Sequence, residues 1–478
     1  MDPNSTNILL VNPWIYDFAA YDFWIKPLGL LSIGSILKKY GFNISLIDCL
    51  DRFHPVYGKS YSHKELNKKN GTGKFIRQPV ENPEIIAKLD RNFARYGMPI
   101  ELFDSLCDEM NTPDVILVTS AMTYWYKGPF KAINILRQKF PSTPILLGGI
   151  YATLFPKHAR AHSGADFIIE GVGEKKALMK VSELTGTKID TSDFPTRWKD
   201  FPLPDFDLYP NLASVAIMTS KGCPYNCSFC ASRKISGRFE QRNPDDIIEQ
   251  IMYYARHRQV KHFAFFDDAL LINAESHFLK IMKSIHAHNI DVNFHTPNGI
   301  HAKEITPEIA RIMVASNFKT IRLSYESSSK KRQQEMGYKV TDTSLTNAID
   351  YLETAGYNRK DIDVYVIMGL PDQTISEIVA SMLFVTSVGA KVRLTSFSPI
   401  PGTVDFNRSV KQSGFPEDPD PLLTNNSIFP LHLHDGQYAR FQELRYLSKV
   451  LNYSLDQNVN LFNNSPLAQL IKKISFNE

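Results

Sequence analysis

The first third of the chain alternates short apolar runs with helical patterns. The runs are apolar at successive positions and are bounded by Gly, Pro or Asp, which is typical of parallel strands buried on both faces. Strands are predicted over residues 8–11, 44–47, 115–118, 145–147 and 167–169. A helical pattern over 28–40 is followed by Gly41, a residue suited to end a helix. The pattern predicts an open, Rossmann-like α/β domain over residues 1–184.

A second round of alternation occupies residues 213–405. Strands are predicted over 215–220, 262–267, 292–296, 320–326, 363–369 and 392–398. Helices are predicted over 244–257, 275–288, 307–316, 343–355 and 374–388. Asn243 and Thr306 are suitable N-caps for two of these helices, and a proline follows each. Six strands with five intervening helices predict a partial parallel (β/α)6 barrel.

Three segments interrupt or extend this pattern. Residues 50–112 form a long insertion with little periodicity before Ile100, and such an insertion is usually either a functional loop or disordered. Residues 185–212 are rich in Pro, Asp and Thr and are interpreted as a linker. Residues 406–478 are expected to be mostly helical, with one helix over 434–455.

Three cysteines lie in one short stretch after the first predicted barrel strand. Cys223, Cys227 and Cys230 have the spacing C-x3-C-x2-C. Clustered thiolates hold iron–sulfur cubanes, and three ligands for four irons leave one iron open to a substrate or cofactor. In parallel barrels the chemistry sits at the C-terminal ends of the strands, where this loop is predicted to lie. The sequence therefore predicts a catalytic [4Fe–4S] cluster.

A zinc site, a disulfide and an electron-transfer cluster are the competing interpretations. Structural zinc takes four ligands, and the other two cysteines, Cys49 and Cys107, lie over a hundred residues upstream. They are interpreted as small buried apolar residues. Five cysteines in 478 residues do not make a disulfide scaffold. A non-enzymatic electron carrier or redox sensor stays as an alternative, although a carrier normally has four ligands.

Polar side chains are predicted to line one rim of the barrel. Arg322, Ser324 and Glu326 alternate along the fourth strand, and the apolar residues between them are expected to face the helices. Because an ordinary barrel lumen is filled with branched apolar side chains, this polar face predicts a binding site. An internal ion pair of Arg322 is the alternative, and His295 is interpreted as a core histidine. Further clusters at strand ends are Asp267-Asp268, Pro297-Asn298-Gly299, Gly369-Leu370-Pro371 and Pro399-Ile400-Pro401-Gly402.

Together these motifs resemble the radical SAM enzymes. The most specific feature is the cysteine motif, with the aromatic Phe229 before its last Cys. The resemblance covers roughly residues 7–405, and it implies a cobalamin-binding type of first domain and a radical SAM type of barrel. Later strand motifs of the cobalamin-binding branch are resembled by Asp267-Asp268, Tyr325-Glu326-Ser327 and Met368-Gly369-Leu370-Pro371.

The resemblance implies how the cluster and S-adenosylmethionine (SAM) are held. The three cysteines would bind a [4Fe–4S] cluster, SAM would chelate the fourth iron, and reduction would cleave it to a 5′-deoxyadenosyl radical. Glu326 matches the position that contacts the SAM ribose or amino group. Many relatives carry Gly-Gly-Glu where this chain has Asp267 and Asp268, although a carboxylate still accepts from an ammonium. The residues implied in SAM binding are Phe229, Asp267, Asp268, Arg322, Ser324, Glu326 and Gly369.

The first domain resembles a cobalamin-binding domain. Its residues 120–123, after a strand, resemble the family's Ser-x-Leu-x-Thr stretch, and small residues there would admit a nucleotide tail at the crevice of an open sheet. The implied cobalamin contacts are Ser120, Met122, Thr123, Gly148 and Gly149. The Asp-x-His-x-x-Gly motif that supplies a lower histidine ligand is absent, so either cobalamin binds without an imidazole or the domain has lost it. An α/β domain without a corrinoid is the alternative. A Gly-x-Gly-x-x-Gly fingerprint is also missing after the first strand, which argues against a nicotinamide cofactor.

The leading interpretation is a cobalamin-dependent radical SAM enzyme. Family frequency favours methyl transfer to an unactivated carbon, and a radical rearrangement, cyclisation or oxidation is the alternative outcome. A cobalamin-free radical SAM enzyme is the alternative for the cofactor. The substrate, a small molecule or a peptide, is expected between the domains, and a flavodoxin- or ferredoxin-type protein is expected to supply electrons.

The charge and the hydropathy of the chain argue against certain partners and locations. A net charge of +4 over 478 residues implies neither a nucleic acid nor an anionic membrane as partner. No run of about eighteen apolar residues occurs, and no basic segment precedes the first apolar stretch. The protein is therefore expected to be soluble and cytoplasmic.

Overall fold

Two parallel sheets dominate the molecule, one of five strands near the N-terminus and one of seven strands in the middle of the chain. The computed structural model describes residues 5–58, 66–432, 437–458, 469, 471 and 474. Within these ranges no helix combines the length and the apolar character needed to cross a lipid bilayer. The predicted fold class, a Rossmann-like sheet followed by a partial barrel, is confirmed.

The N-terminal part forms an open sheet with helices packed against it. Its strands are β1 (Asn7–Asn12), β2 (Ile15–Asp17), β3 (Tyr21–Asp22), β4 (Asn43–Asp48), β5 (Gly73–Lys74), β6 (Arg77–Pro79), β7 (Ala94–Tyr96), β8 (Val115–Val118), β9 (Ile145–Leu147) and β10 (Phe167–Ile168). Its helices are α1 (Leu28–Lys39), α2 (Ile100–Glu109), α3 (Lys127–Lys139), α4 (Ile150–Leu154), α5 (Pro156–His162) and α6 (Glu174–Thr185). The sheet has the order β10-β9-β8-β1-β4, and all of its neighbouring strands are parallel. Its central strands β1 and β8 are buried almost throughout, as their continuous apolar runs predicted.

Helix α1 joins the two halves of the molecule. Leu30 and Leu37 pack in the apolar cluster of the N-terminal sheet, whereas Leu28 and Leu31 belong to the cluster that fills the barrel. The helix ends before Gly41, whose φ of 91° lies in the left-handed region that favours glycine. Because α1 is apolar on two faces, it holds one edge of the N-terminal sheet against the barrel.

The insertion and the linker pack on this core. Strands β2, β7 and β6 form a small antiparallel sheet, and β3 pairs with β5. Arg52 fastens the insertion, because it donates from Nε to Asp22 at 2.8 Å and from Nη2 to the carbonyl of Gly71 at 2.9 Å. In the linker, the buried Tyr209 donates its hydroxyl to Asp48 at 2.6 Å. Residues 59–65 of the insertion lie outside the described residues.

The barrel begins after the linker. Its strands are β11 (Ser214–Ile217), β12 (Ser220–Lys221), β13 (Glu240–Gln241), β14 (His262–Phe265), β15 (Asn293–His295), β16 (Ile300–His301), β17 (Phe318–Glu326), β18 (Ile362–Met368) and β19 (Lys391–Ser396). Its helices are α7 (Ser232–Ser236), α8 (Pro244–His257), α9 (Phe278–Ala287), α10 (Pro307–Ala315), α11 (Lys330–Glu335), α12 (Asp342–Thr354), α13 (Ile375–Ser387) and α14 (Val404–Ser413). The parallel sheet runs β11-β14-β15-β17-β18-β19, with β16 pairing β17, and its two end strands are not paired with each other. The barrel is therefore open, as predicted.

The predicted helix starts at the two N-caps are confirmed. The Asn243 side chain accepts from the backbone of Asp245, and Thr306 accepts from that of Ile309. The core assignment of His295 is also confirmed, because it is fully buried and stacks on Trp24 with ring centres 4.0 Å apart.

A C-terminal helix, α15 (Tyr438–Asp456), covers the open edge of the barrel. The Asn452 side chain accepts from the backbone N–H of Val392 at 2.8 Å and donates to its carbonyl at 2.9 Å. This pairing satisfies backbone groups at the free edge of β19, beside which the described part of the chain places no further strand. Of the predicted helix over 434–455, residues 434–436 lie outside the described residues.

Candidate active site

The cysteine loop is fastened at its base by Asp267. This buried carboxylate accepts from the backbone N–H and hydroxyl of Thr219, at 3.2 and 2.6 Å, and from those of Ser220, at 2.6 and 2.7 Å. Burial raises the pKa of Asp267 to about 6, although the hydrogen bonds act in the opposite direction. These bonds also explain why β11 ends at Ile217 rather than at the predicted Ser220. Asp267 therefore positions the loop, which differs from the SAM contact that the resemblance implied.

The neighbouring Asp268 has a different environment. It is exposed and accepts from the Ser232 hydroxyl in the cysteine loop. Desolvation by the surrounding protein atoms raises the pKa of Asp268, and its charge raises the pKa of the Cys223 and Cys230 thiols. Of the two adjacent aspartates, Asp268 is exposed and Asp267 is buried.

The three thiols share one electrostatic environment. Burial raises the pKa of each, and that of Cys227 reaches about 12. Backbone N–H groups donate to two of the sulfur atoms, from Tyr225 to Cys223 and from Ser232 to Cys230, the latter at 3.4 Å. Such N–H donors stabilise sulfur ligands of a cluster. The donor set of three thiols on one loop thus fits a [4Fe–4S] cluster.

The described residues contain no group of three His, Cys, Asp or Glu side chains arranged to hold a single metal ion. The assignment of the three cysteines to a cluster therefore stays a prediction, which their donor chemistry supports.

A buried ion pair faces the cysteine loop from the barrel. Lys339 donates to Glu326 at 3.4 Å, and both side chains are about nine-tenths buried. Burial would lower the pKa of Lys339, but Glu326 and the thiols of Cys227 and Cys223 outweigh it and raise that pKa. The ammonium in turn lowers the pKa of all three thiols. A positive charge at this position favours thiolates, which are the form that binds metal.

The strand is distorted where it presents Glu326. The register of β17 against β18 shifts between Ser324 and Glu326, and Glu326 has a φ of 72°. A residue other than glycine in this left-handed backbone conformation costs about 1–3 kcal/mol of folding free energy. Such strain is concentrated at functional sites. A β-bulge of this kind redirects a side chain at the rim of a barrel.

Glu326 and Phe229 line a cavity of about 280 Å³ beside the cysteine loop. Tyr365 and Ile367 of β18 form another wall, and the segment that follows β19 closes the cavity. Phe229 also packs with Cys227 in a small apolar cluster. The cavity therefore has one apolar wall and one carboxylate. Its volume is close to the low end of the volumes of small-molecule sites, about 300 Å³.

The other predicted SAM contacts are engaged within the barrel wall. Arg322 donates from Nη1 to the carbonyl of Pro297 at 3.2 Å and lies 3.8 Å from Asp363, so the internal ion pair that the sequence left open is formed. Ser324 donates to the carbonyl of Ile300 at 3.2 Å. Gly369 has a φ of 84° and lets the chain turn at the end of β18. Arg322 and Ser324 are thus engaged by the barrel wall, although the buried Arg322 Nε has no hydrogen-bond partner among the described residues, and their role in SAM binding stays a prediction.

A second cavity, of about 220 Å³, lies at the C-terminal ends of β8 and β9. Gly148 and Gly149 line it, together with parts of α1, the start of α6 and the barrel residues Met218, Lys221 and Arg242. It is mainly apolar, as a site for a bulky neutral group would be. We name it the interdomain cavity.

The glycine pair of the interdomain cavity is held by Ser120. Gly149 has a φ of 98°, and a Cβ there would lie 2.2 Å from the Ser120 carbonyl oxygen. Ser120 donates its hydroxyl to the Gly148 carbonyl at 2.6 Å. Of the predicted cobalamin contacts, only Gly148 and Gly149 line the cavity. Thr123 is instead buried against the hydroxyl of Thr424 at 2.5 Å, and Met122 is 46% exposed.

Sequence reasoning missed Lys339 and the cavity-lining Tyr365. Lys339 stands alone between α11 and α12, and a single lysine in a loop has no pattern that marks it as buried. Tyr365 falls on the same face of β18 as Asp363 and Ile367, and this alternation was the available signal.

Comparison with known proteins identifies the barrel. Residues 217–385 match the model of the radical SAM superfamily. The chain is 20% identical over 461 residues to the cytidylyl-2-hydroxyethylphosphonate methyltransferase of Streptomyces wedmorensis, covering 83% of this chain and 80% of that protein. It is 23% identical over 342 residues to an uncharacterised methyltransferase of Pyrococcus horikoshii, covering 66% of this chain and 71% of that protein.

A solved structure shares the fold across both halves. The radical SAM methyltransferase TsrM from Kitasatospora setae, with cobalamin and a [4Fe–4S] cluster bound, superposes with a TM-score of 0.62 at 14% identity. The match covers 86% of this chain and 79% of TsrM. A radical SAM domain implies a [4Fe–4S] cluster and SAM as cofactors. The chain therefore carries a radical SAM domain over residues 217–385.

Proposed function

We propose that this enzyme is cobalamin-dependent and transfers a methyl group to an unactivated carbon of a small molecule or peptide. One observation carries the proposal: the interdomain cavity at the C-terminal edge of the N-terminal sheet is walled by the barrel segment that leads into the cysteine loop. Lys221 lines that cavity, two residues before Cys223. A corrinoid held there would lie beside the cluster site, where a substrate radical forms.

The glycine pair supports a bound nucleotide tail. Gly149 keeps the chain close to Ser120, and Gly148 leaves space that a side chain would fill. Open α/β sheets bind ligands at this edge. The relatives named above include methyltransferases, and TsrM carries cobalamin at the same overall fold.

The residues of the chain have distinct proposed roles. Cys223, Cys227 and Cys230 hold the cluster, and Lys339 offsets the negative charge of their thiolates. Glu326 accepts from the amino or hydroxyl groups of SAM, while Phe229 excludes water from one side of the cavity. When bound, the cluster, SAM and cobalamin supply the radical and the transferable methyl group.

The proposal is tested with anaerobically reconstituted protein. After reduction in the presence of SAM and hydroxocobalamin, we expect 5′-deoxyadenosine from cleavage and S-adenosylhomocysteine from methylation of the corrinoid. Chromatography on a desalting column should leave about one corrinoid per chain. Cleavage without retained corrinoid and without S-adenosylhomocysteine would contradict cobalamin dependence and leave a cobalamin-free radical SAM enzyme.

Electrons must also reach the cluster. We propose a flavodoxin- or ferredoxin-type donor, because SAM cleavage by a cluster requires one low-potential electron. Replacing the chemical reductant by flavodoxin with its reductase should sustain 5′-deoxyadenosine formation, and no turnover with either protein would contradict this part.

A further inference from the structure

Ser228 lies in the middle of the cysteine loop, between Cys227 and Phe229. It is buried, whereas its two neighbours are half-buried. Those neighbours have different proposed roles, because Cys227 is a predicted cluster ligand and Phe229 lines the cavity beside Glu326. A displacement of Ser228 would therefore move a thiol and a wall of the cavity together.

Two hydrogen bonds fasten Ser228 to Asp405, which lies in the first turn of helix α14. The Ser228 hydroxyl donates to Asp405 Oδ2 at 2.7 Å, and the backbone N–H of Asp405 donates to the Ser228 carbonyl at 3.0 Å. The first N–H groups of a helix have no partner within it, so the second bond satisfies one of them. Asp405 is 1% exposed, and a hydrogen bond to a carboxylate is stronger than one between neutral groups. The two residues are therefore held together firmly.

The Asp405 carboxylate is also held by Arg408. This arginine donates from Nη1 to Asp405 Oδ1 at 3.1 Å and to Glu335 at 3.0 Å. Glu335 is the last residue of α11, and the carbonyl oxygen of the following Met336 lies 4.0 Å from the Cys227 sulfur. Asp405 is therefore connected to Cys227 through α11 as well as through the cysteine loop.

The chain between β19 and α14 connects the same carboxylate to the cavity. Residues 395–398 and 400 line the cavity beside Glu326, and Asp405 follows in the next helix. Lys234 on α7, just after the cysteine motif, donates to the carbonyl of Pro401 at 3.4 Å. The segment 395–405 therefore forms a wall of the cavity at one end and contacts the cysteine loop at the other.

We propose that Asp405 is a positioning residue for SAM binding: by holding Ser228, it orients the Cys227 thiol toward the cluster and the Phe229 ring toward the cavity. This inference rests on the proposed cluster and SAM site, and it goes beyond them by assigning a role to a residue that does not line the cavity. An acidic residue in the first turn also stabilises a helix by itself. A purely structural Asp405 would leave the affinity for SAM unchanged.

Alkylation of the thiols in the full-length, cluster-free protein tests the fastening alone. Ser228→Ala removes a hydrogen bond to a charged group, so the loop should open more often and iodoacetamide should modify Cys227 roughly tenfold faster. Ser409→Ala is the matched control, because the buried Ser409 hydroxyl donates at 2.7 Å to the backbone carbonyl of Asp405 within the same helix. Peptide mass spectrometry measures each thiol separately. The buried Cys107 should react at the wild-type rate in both variants, which shows that only the loop has opened.

A second measurement, on the anaerobically reconstituted protein, tests the effect on SAM. Ser228→Ala retains all three cysteine ligands, so its iron content should equal that of the wild type. The dissociation constant of SAM, measured from the change in the EPR spectrum of the reduced cluster, should rise several-fold because a displaced Phe229 admits water to the cavity. Asp405→Ala should behave like Ser228→Ala. Asp405→Asn keeps an acceptor for the Ser228 hydroxyl and should behave like the wild type in both measurements.

Each outcome decides a different statement. Equal alkylation of Cys227 in Ser228→Ala and Ser409→Ala would overturn the fastening, and equal acceleration at Cys107 would mean that the bond stabilises the whole fold instead. Faster alkylation of Cys227 with an unchanged dissociation constant for SAM would overturn the positioning role. Failure of the unaltered protein to take up iron would overturn the cluster assignment, and with it the role of Asp405 in SAM binding. No corrinoid takes part in these measurements, so cobalamin dependence is decided separately.

Discussion

The two parallel sheets present the same structural edge, the C-terminal ends of their strands, with opposite chemistry. At the edge of the N-terminal sheet the key positions are glycines and apolar residues, and the cavity beside them is mainly uncharged. At the edge of the barrel the equivalent positions carry thiols, carboxylates and a buried lysine. The comparison shows that one architecture built twice can hold a bulky neutral group at one site and charged groups at the other, depending on the residues at the strand ends.

At the edge of the barrel, the predicted cluster site depends most on its three thiols. Cys227→Ala removes one of three cluster ligands, so we expect complete loss of the cluster's iron and of SAM cleavage. Iron analysis and 5′-deoxyadenosine formation measure this under anaerobic conditions. Cys107→Ala is the matched control, because Cys107 is buried in the N-terminal core far from the loop and should leave iron content unchanged. Iron retained in Cys227→Ala at the level of the control would overturn the cluster assignment.

The ion pair at the same edge is next in expected effect. Lys339→Met leaves the buried Glu326 carboxylate without its partner, and breaking such a pair costs about 3–5 kcal/mol of unfolding free energy. Denaturation in urea would measure it. In the double variant Glu326→Gln, Lys339→Met no charge is left unpaired, so most of the loss should be recovered. A double variant as unstable as Lys339→Met would show that the lysine acts through packing instead.

At the edge of the N-terminal sheet, one added methyl group is expected to destabilise the fold. Gly149→Ala places a Cβ 2.2 Å from a backbone oxygen at a φ of 98° and should cost about 3 kcal/mol in unfolding free energy. Gly148→Ala meets its nearest atom at 3.6 Å and should cost under about 1 kcal/mol, while its methyl group reduces the space for a nucleotide tail. Equal stability of the two variants would contradict the role assigned to Gly149.

The sequence predicted both sheets because buried parallel strands have a local pattern. The strands over 115–118 and 145–147 and the helix over 244–257 were predicted at their observed bounds. The role of Arg322 and Ser324 in SAM binding stays a prediction, because alternation tells which residues share a face but not whether neighbouring loops engage them. Arg322 and Ser324 meet carbonyls from 297 and 300, and no local pattern encodes that contact.

The sequence pattern could not predict side-chain contacts between residues that lie in different elements of the barrel. Lys339 meets Glu326 across 13 positions of chain that include α11, and Asp267 meets Thr219 across 48. Such contacts depend on the tertiary arrangement of the barrel. The cysteine motif, by contrast, could be recognised in the sequence because its three thiols lie in one short stretch of the chain.

The smallest expected effect concerns Asp267, which lies at the base of the cysteine loop at the edge of the barrel. The pKa of Asp267 in the folded protein is about 6, above its ordinary value of 3.8, so the folded state binds the extra proton between these values. A raised carboxyl pKa stabilises the fold at low pH, and this contribution is lost as pH rises through the folded pKa. Between pH 5 and pH 7 the loss is about 1 kcal/mol. Asp267→Asn cannot titrate, so the difference in unfolding free energy between wild type and variant should change by that amount over this range. A difference that stays constant with pH, or that changes with the opposite sign, would mean that the four hydrogen bonds from Thr219 and Ser220 outweigh burial and that Asp267 is fully ionised throughout.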